Sequence, residues 1–506
     1  MAAKTRFINP TEESSRCLMC HDAPCTAACT AANDGVASSD PAAFIRGIRF
    51  GLGSGALSCM QGCASCAEKR CEKACIHYDF PIRITKVRNA VSAGGGAGHK
   101  TMPASDLSID FCGVRCENPF FLSSSVVAGN YAMCARALDA GWAGIVYKTI
   151  GIGEIEELSP RFDVLNKERT AFVGFRNLEQ ISDRPLEDNL ADLKRLKRNY
   201  PAKVIVASIM GQNEEEWTRL AQDCEEAGVD IIECNFSCPH MSEGGLGSDV
   251  GQNPDLVAAF TAAARRGTRL PILAKMTPNL GSMIPPAEAA LKNGADGIAA
   301  INTIKSFTGF NHETLRALLD VQGKTAVSGY SGKAVKPIAL RFLSELKTWP
   351  STSAVPLSGM GGVETWQDAL DFLLVGCGNI QITTAVMQYG YRIIDPLIAG
   401  LSAFMRKNNF ARLSDVVGRG IEVFAPAGEL NRQTTARPVV EREKCVSCGR
   451  CYVSCSDGGH QAIVWDARKR MPAIDAAKCV GCHLCIYVCP SGGLKAGERV
   501  QKKKVS

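Results

Sequence analysis

The sequence predicts an α/β protein, a parallel (β/α)8 barrel flanked by a cysteine-rich domain at either end. Two observations carry this. From about Leu107 to Gly400, short apolar runs alternate with amphipathic stretches. The 24 cysteines gather at the ends, with nine within Cys17–Cys75, eight within Cys445–Cys489 and seven scattered between. The expected domains are therefore 1–95, 104–425 and 436–506. The glycines Gly94, Gly95, Gly96 and Gly98 read as the first joint, and the second boundary falls near Pro426–Pro438.

The barrel follows from its strands. Val204–Met210, Ile231–Ser237, Ile272–Met276 and Gly297–Thr303 are apolar runs of strand length, continued by Val355–Gly362 and Ile380–Val386. Between them lie helical stretches such as EEEWTRLAQDCEEAG and PAEAALKNG, each ending in glycine. Strands apolar on both faces and separated by helices belong to parallel sheets. A spacing of roughly 25–40 residues over about 300 favours a closed barrel over an open doubly wound sheet.

Bulk properties narrow the function. A net charge of +6 over 506 residues, with no dense basic patch, gives no reason to expect nucleic acid; the tail Lys502–Lys504 reads as a solvated end. No run of about eighteen apolar residues is present, so no membrane span is expected. The start MAAKTRFINP lacks the apolar core of a secretory signal. The expected location is the cytoplasm, where thiols stay reduced and clustered cysteines bind metal rather than pair.

The C-terminal cysteines are the most specific motif. Cys445, Cys448, Cys451 and Cys455 have the spacing C-x2-C-x2-C-x3-C, and Cys479, Cys482, Cys485 and Cys489 repeat it, with Pro490 following. This is the bacterial ferredoxin run, in which the fourth cysteine of each run ligates the other cluster. One [4Fe–4S] cluster is thus assigned to Cys445, Cys448, Cys451 and Cys489, and the other to Cys479, Cys482, Cys485 and Cys455. Zinc knuckles are the competing reading, but they favour two CxxC pairs rather than two runs of four. The N-terminal group is less regular: Cys17, Cys20, Cys25 and Cys29, then Cys59, Cys63, Cys66, Cys71 and Cys75. Two clusters need eight ligands and nine cysteines are available, so spacing leaves the last ligand open, and zinc with it.

In a (β/α)8 barrel, chemistry belongs at the C-terminal ends of the strands. There the sequence places Asn235, Ser237 and Cys238, then Lys275, then Asn302 and Thr303. Gly361 and Gly362 follow a late strand, where backbone amides can approach a phosphate. No GxGxxG fingerprint follows an early strand, so no nicotinamide site is expected within the chain.

These residues sit in motifs that resemble the dihydropyrimidine dehydrogenase family: CNFSCPH (Cys234–His240), AKMTPN (Ala274–Asn279), AINT (Ala300–Thr303) and SGYSGKAVKPIALR (Ser328–Arg341). From about Leu107 onward the resemblance is to the bacterial FMN and iron–sulfur subunit. The N-terminal segment is similar to the first domain of the single-chain enzyme, without the FAD and NADPH module that follows it there. The resemblance implies an FMN-binding TIM barrel of the dihydroorotate dehydrogenase type. A mostly helical N-terminal iron–sulfur domain and a C-terminal 2[4Fe–4S] ferredoxin domain would flank it. The implied reaction interconverts uracil or thymine and the 5,6-dihydropyrimidines at FMN.

Residue by residue, the resemblance makes Cys238 the catalytic acid. The chemistry agrees: reduction of the 5,6 double bond needs a hydride at C6 and a proton at C5, and a thiol of pKa about 8.5 is protonated at neutral pH. The Gly-rich stretch MSEGGLGSDVG that follows reads as a lid. Asn177, Asn235, Ser237, Asn302 and Thr303 match the pyrimidine contacts. An amide carries one acceptor and one donor group, as the uracil edge requires. Ser124, Lys148, Thr149, Lys275, Gly332, Met360, Gly361, Gly362, Thr383 and Thr384 match the FMN site, with Lys275 near flavin N1 and O2.

At the N-terminus the resemblance implies one cluster on Cys17, Cys20, Cys25 and Cys75 and a second on Cys29, Cys63 and Cys71. Arg88 stands near the family's glutamine ligand, and a cation cannot hold iron. Cys66 is the natural replacement and Cys59 the reserve; a thiolate there would lower the cluster potential. Electrons would come from a separate NAD(P)H-oxidising flavoprotein subunit, and a homodimer of this chain within a hetero-oligomer is implied. Two other readings stay open: an electron-transfer subunit of a larger redox complex, and a dihydroorotate dehydrogenase-like enzyme.

Overall fold

The computed structural model describes residues 8–30, 39–63, 68–77, 80–93, 105–153, 155–166, 172–236 and 248–502. Cys66, Ser237 and Cys238 lie outside the described residues, as does most of the Gly-rich stretch after Cys238. The chain forms two compact units: Ser14–Val423, and Phe424 onward together with the described residues up to Glu13.

The larger unit holds a closed barrel of eight strands: β1 Phe120–Leu122, β2 Gly144–Ile150, β3 Val204–Ile209, β4 Ile231–Asn235, β5 Ile272–Lys275, β6 Gly297–Ala300, β7 Leu357–Met360 and β8 Cys377–Ile382. Every strand pairs in parallel with its chain neighbour, and β8 pairs with β1 to close the ring. Helices follow each strand: α1 Tyr131–Asp139, α2 Leu186–Asn199, α3 Glu214–Glu226, α4 Pro254–Gly267, α5 Ile284–Lys292, α6 Lys336–Thr348, α7 Trp366–Val375 and α8 Ile394–Lys407. Strands β2, β3 and β4 are buried along their whole length, because helices cover one face and the barrel's own side chains fill the other. Asn130, Asn213 and Thr365 stop the helices at their N-termini by accepting from the N–H three residues on.

The apolar runs outlast the strands. Pairing ends at Asn235, Lys275, Ala300 and Ile382, while Phe236, Met276 and Ile301 beyond three of those ends remain buried. Apolar character marks burial, and the loops leaving the barrel rim are themselves buried. After Ile382 the chain enters a short helix, Thr384–Tyr389, within what the sequence reads as strand.

Two excursions build a wall above the mouth. Residues leaving β2 supply Phe162–Leu165 and Gly174–Asn177, and residues leaving β6 supply Ile304–Ser306 and Ser328–Ser331; the four form one antiparallel sheet. Buried Arg176 bonds Ser328 at 2.7 Å and Thr325 at 2.9 Å, tying the second excursion to the first. At the opposite end, the hairpin Ile109–Phe111/Val114–Cys116 inserts Phe111 into the barrel core.

The described N-terminal segment from Ser14 packs on the same unit. Its helices Pro24–Thr30, Pro41–Arg49 and Ile84–Ala93 are short, and Phe50 joins the barrel's core. Trp366 and Gln367 of α7 both donate to the Gly51 carbonyl at 3.0 Å, and Arg49 donates to the Tyr389 hydroxyl at 2.6 Å. Gly51 has φ +84°, and a Cβ there would stand 2.3 Å from the Gln367 amide oxygen, so only glycine allows this contact.

The smaller unit pairs Thr434–Val440 with Leu494–Gln501 and Ile463–Asp466 with Met471–Ile474, both antiparallel. Helices Arg450–Gly458 and Leu484–Tyr487 carry the last two cysteines of the first run and the third of the second. Among the described residues, no helix is long and apolar enough to cross a membrane.

Candidate active site

The C-terminal ends of the strands surround a cleft of about 160 Å³. Ser124, Lys148, Thr149, Lys275, Gly332, Met360, Gly361, Gly362, Thr383 and Thr384 all line it, and so do Asn177, Asn235, Asn302 and Thr303. Strand ends deliver most of these side chains, and the wall sheet delivers Asn177.

Hydrogen bonds join the two sets. Asn302 Nδ2 donates to Asn235 Oδ1 at 3.2 Å, and Asn235 Nδ2 donates to Thr149 Oγ1 at 3.0 Å. Thr149 Oγ1 in turn lies 2.9 Å from both Ser124 Oγ and Ser208 Oγ. Asn177 Nδ2 donates to the Gly329 carbonyl at 3.2 Å, across the wall sheet. The amides are held by neighbours, and geometry held in advance lowers the ordering cost of binding a ring.

Lys148 and Lys275, two of the three lysines that line the cleft, are each held against carboxylate. Lys148 bonds Glu179 at 2.6 Å and Glu157 at 3.4 Å, and Arg161 approaches Glu179 at 3.1 Å. Burial, then the neighbouring Glu179, pushes the Glu157 carboxyl above the usual range, against the pull of Lys148. Lys275 bonds Glu233 at 3.0 Å. The sequence reading missed both sets of partners. Glu233 was open to discovery, being a charged residue in the apolar run IIECN; Glu157 and Glu179 come from an irregular excursion that carries no such signal.

The far side of the cleft fits a phosphate. Gly332, Gly361 and Gly362 all have positive φ, and a Cβ at Gly362 would lie 2.8 Å from the Gly332 carbonyl oxygen and 2.9 Å from Lys336 Cβ. α6 starts just beyond, so amide groups and a helix N-terminus border the space, as anion sites require. Ser331 and Thr384 hydroxyls stand 2.9 Å apart, and Ser125 and Thr383 3.2 Å apart. Lys333 and Lys336 are engaged elsewhere, both on Asp368.

Among the described residues, most cysteines of the two terminal groups gather in four sets. Cys445, Cys448, Cys451 and Cys489 line one small cavity, and Cys455, Cys479, Cys482 and Cys485 line another, so each fourth cysteine crosses to the opposite run. Burial first, and then the thiolates of Cys455, Cys482, Cys451 and Cys479, push the Cys485 thiol up to about 11. Burial opposes the thiolate of Cys489 too, but hydrogen bonds from Ser491, Gly493 and Leu494 outweigh it and lower its pKa. The Gly493 and Ala462 amides donate to Cys489 and Cys455 sulfur at 3.2 and 3.3 Å. Four cysteines lining one cavity, with backbone N–H groups donating to sulfur, are a donor set that iron–sulfur clusters use.

In the N-terminal segment, burial and then its Cys17 and Cys75 neighbours push Cys25 up to about 11; Cys17 is raised by burial, with Cys20 and Cys75 adding. Cys71 is raised by burial and by Cys29 and Cys63. Cys17, Cys20, Cys25 and Cys75 thus share one neighbourhood, and Cys29, Cys63 and Cys71 another. Among the described residues, the charged neighbours of Cys59 are Asp40 and Arg46. Arg88 bonds Asn89 at 3.4 Å.

A parallel barrel with a polar cleft at its strand ends and a phosphate cradle after its seventh strand defines a class of cofactor-dependent barrel enzymes. Residues 106–405 match the dihydroorotate dehydrogenase family, and residues 438–495 match the 4Fe-4S dicluster domain. The chain is 54% identical to the NAD-dependent dihydropyrimidine dehydrogenase subunit PreA of Escherichia coli K12, over 73% of this chain and 90% of that one. It is 38% identical to the chloroplastic dihydropyrimidine dehydrogenase (NADP(+)) of Arabidopsis thaliana, over 67% of this chain and 80% of the relative. The crystal structure of ligand-free dihydroorotate dehydrogenase from Eimeria tenella shares the fold, with a TM-score of 0.54 at 18% identity, covering 65% of this chain and 96% of that one. The chain belongs to the dihydropyrimidine dehydrogenase family, on a barrel of the dihydroorotate dehydrogenase type.

Proposed function

We propose that this chain interconverts uracil or thymine and the corresponding 5,6-dihydropyrimidine at FMN, as the iron–sulfur subunit of an NAD(P)-linked dihydropyrimidine dehydrogenase. The observation that carries this is the joining of Asn302, Asn235 and Thr149 in one hydrogen-bonded row along the cleft. It supports a neutral ring seated against residues assigned to the flavin. The similarity to the dihydropyrimidine dehydrogenases of Escherichia coli and Arabidopsis supports the same substrate class.

Ser124, Lys148, Thr149, Lys275, Gly332, Met360, Gly361, Gly362, Thr383 and Thr384 would hold FMN, with the glycines and threonines toward the phosphate. Bound FMN supplies hydride transfer at N5. The protein's part is orientation and the proton. Asn177, Asn235, Ser237, Asn302 and Thr303 would pair with the alternating carbonyls and N–H groups of the pyrimidine without charge. Cys238 Sγ would hold the proton destined for C5. The four cysteine sets would hold [4Fe–4S] clusters, which supply one-electron carriers. The second N-terminal set takes Cys66 as its fourth member, in preference to Cys59 beside Asp40 and Arg46. The electron source is a separate NAD(P)H-oxidising flavoprotein subunit, and the chain acts as a homodimer within that hetero-oligomer, in the cytoplasm.

The test is turnover of FMN-replete chain with reduced viologen and uracil, beside flavin difference titrations with uracil, thymine and orotate. Dihydrouracil formation and uracil binding are expected. No product would favour an electron-carrier role, and tight binding of orotate alone would favour a dihydroorotate dehydrogenase. Cys238→Ala should keep FMN and uracil binding and lose most turnover; wild-type turnover would remove the acid assignment.

A further inference from the structure

Beneath the cleft lies a polar layer that the reaction chemistry does not use. Glu233 on β4 is fully buried and does not line the cleft. One of its oxygens bonds Lys275 Nζ at 3.0 Å, and the other accepts from Gln381 Nε2 at 2.9 Å. Lys275 and Gln381 do line the cleft. Lys275 is on the adjacent strand β5, whereas Gln381 is on β8, four strands away in a ring of eight and so directly opposite.

The network also fixes which way the Gln381 amide faces. Asn379 Nδ2 donates to the Pro119 carbonyl at 3.4 Å, which leaves Asn379 Oδ1 as an acceptor. The Ser358 hydroxyl donates to that oxygen at 2.5 Å, so Ser358 Oγ can only accept from Gln381 Nε2, at 2.9 Å. Gln381 Nε2 therefore spends one hydrogen on Ser358 and the other on Glu233. Its Oε1 is buried and has no hydrogen-bond partner among the described residues. The cleft floor then offers a cation and an oriented carbonyl acceptor. That pair suits a ring edge carrying an electron-rich carbonyl beside an N–H, which is the pyrimidine edge of a flavin.

We propose that Glu233 is a positioning residue for the flavin: it holds the Lys275 ammonium and the Gln381 amide in place beneath the cleft, without itself touching the cofactor. This rests on the FMN reading of the cleft given above. A buried ion pair is seldom a better stabiliser than an apolar pair of equal volume. An apolar pair, however, could not present a fixed positive charge to a ring that becomes electron-rich. Glu233→Gln removes the carboxylate that holds the ammonium at 3.0 Å. Without that tether the ammonium can turn away from the ring, and the floor loses its fixed charge.

The experiment is a sulfite titration of FMN-loaded chain, followed by loss of flavin absorbance, because the sulfite adduct places negative charge on the pyrimidine part of the ring. Glu233→Gln and Lys275→Met should each weaken sulfite binding by about tenfold or more, the equivalent of about 1.4 kcal/mol. The double variant should be no weaker than Lys275→Met alone, since both changes remove one charge. Wild-type or tighter sulfite affinity in Glu233→Gln, or losses that multiply in the double variant, would overturn the assignment. If Glu233→Gln does not fold, Glu233→Asp keeps the charge on a shorter arm and should lose part of the affinity; a wild-type value overturns the assignment equally. A wild-type chain that takes up no FMN would instead defeat the reading of the cleft itself, so the two failures are distinct.

Discussion

Asn302 Nδ2 donates to Asn235 Oδ1 at 3.2 Å, tying the loop after β6 to the end of β4. The bond fixes the direction of both amides, because Asn235 Nδ2 is already committed to Thr149. Asn302→Ala should therefore remove one direct contact and loosen a second. Uracil affinity is expected to fall roughly 5- to 150-fold, by about 1–3 kcal/mol for lost hydrogen bonding to the ring, with FMN content unchanged. Flavin difference titration reads this, and an unaltered dissociation constant would move the ring elsewhere.

Gly362 tests the phosphate cradle. Its φ of +76° is strained for any L side chain, and an added Cβ would meet the Gly332 carbonyl oxygen at 2.8 Å. Gly362→Ala should yield a folded chain that loses FMN on gel filtration and rebinds it at least tenfold more weakly. Full retention of FMN would show that the phosphate lies away from this loop.

Glu364 should make FMN binding depend on pH. It lines the cleft two residues after Gly362. Burial holds its carboxyl above the ordinary range, with Asp368 adding and Lys333 and Arg49 opposing. As the neutral acid it tolerates a nearby phosphate; ionised, it repels one. FMN affinity of the apoprotein should thus be highest below the raised Glu364 titration and fall as pH climbs through it, with a proton taken up on binding. The phosphate itself titrates near pH 6, so the readout is the difference between wild type and Glu364→Gln. Parallel pH profiles for the two chains would dismiss the coupling.

Cys455 reports the crossing of ligands. It lines the cavity of Cys479, Cys482 and Cys485 rather than that of its own run. Cys455→Ser and Cys482→Ser should therefore remove the same paramagnetic signal on reduction and about four irons, whereas Cys489→Ser removes the other signal. If Cys455→Ser and Cys448→Ser matched instead, each run would hold its own cluster.

Much of this molecule is written in local pattern. Apolar runs separated by amphipathic stretches announce a barrel because a parallel strand must be buried on both faces. The two C-x2-C-x2-C-x3-C runs announce a dicluster fold because spacing alone sets how many thiolates reach one cube. Asn235, Lys275, Asn302 and the Gly361–Gly362 pair are legible as cleft-lining residues because they stand where strands end. The limits of local pattern show at Phe236, Met276 and Ile301, which read as strand but are buried loop.

What depends on closing the ring was decided only in three dimensions. The 2.9 Å bond between Glu233 and Gln381 joins residues on opposite strands, and no periodicity relates them. The carboxylates against Lys148 come from an excursion whose path is set by the wall sheet, not by its own propensity. The Gly51 contact with Trp366 and Gln367 brings the N-terminal segment onto α7 through side-chain donors far away in sequence. Periodicity records which face of each element is buried; the identity of the buried neighbour, and hence the charge and hydrogen bonding it meets, exists only once the chain has closed on itself.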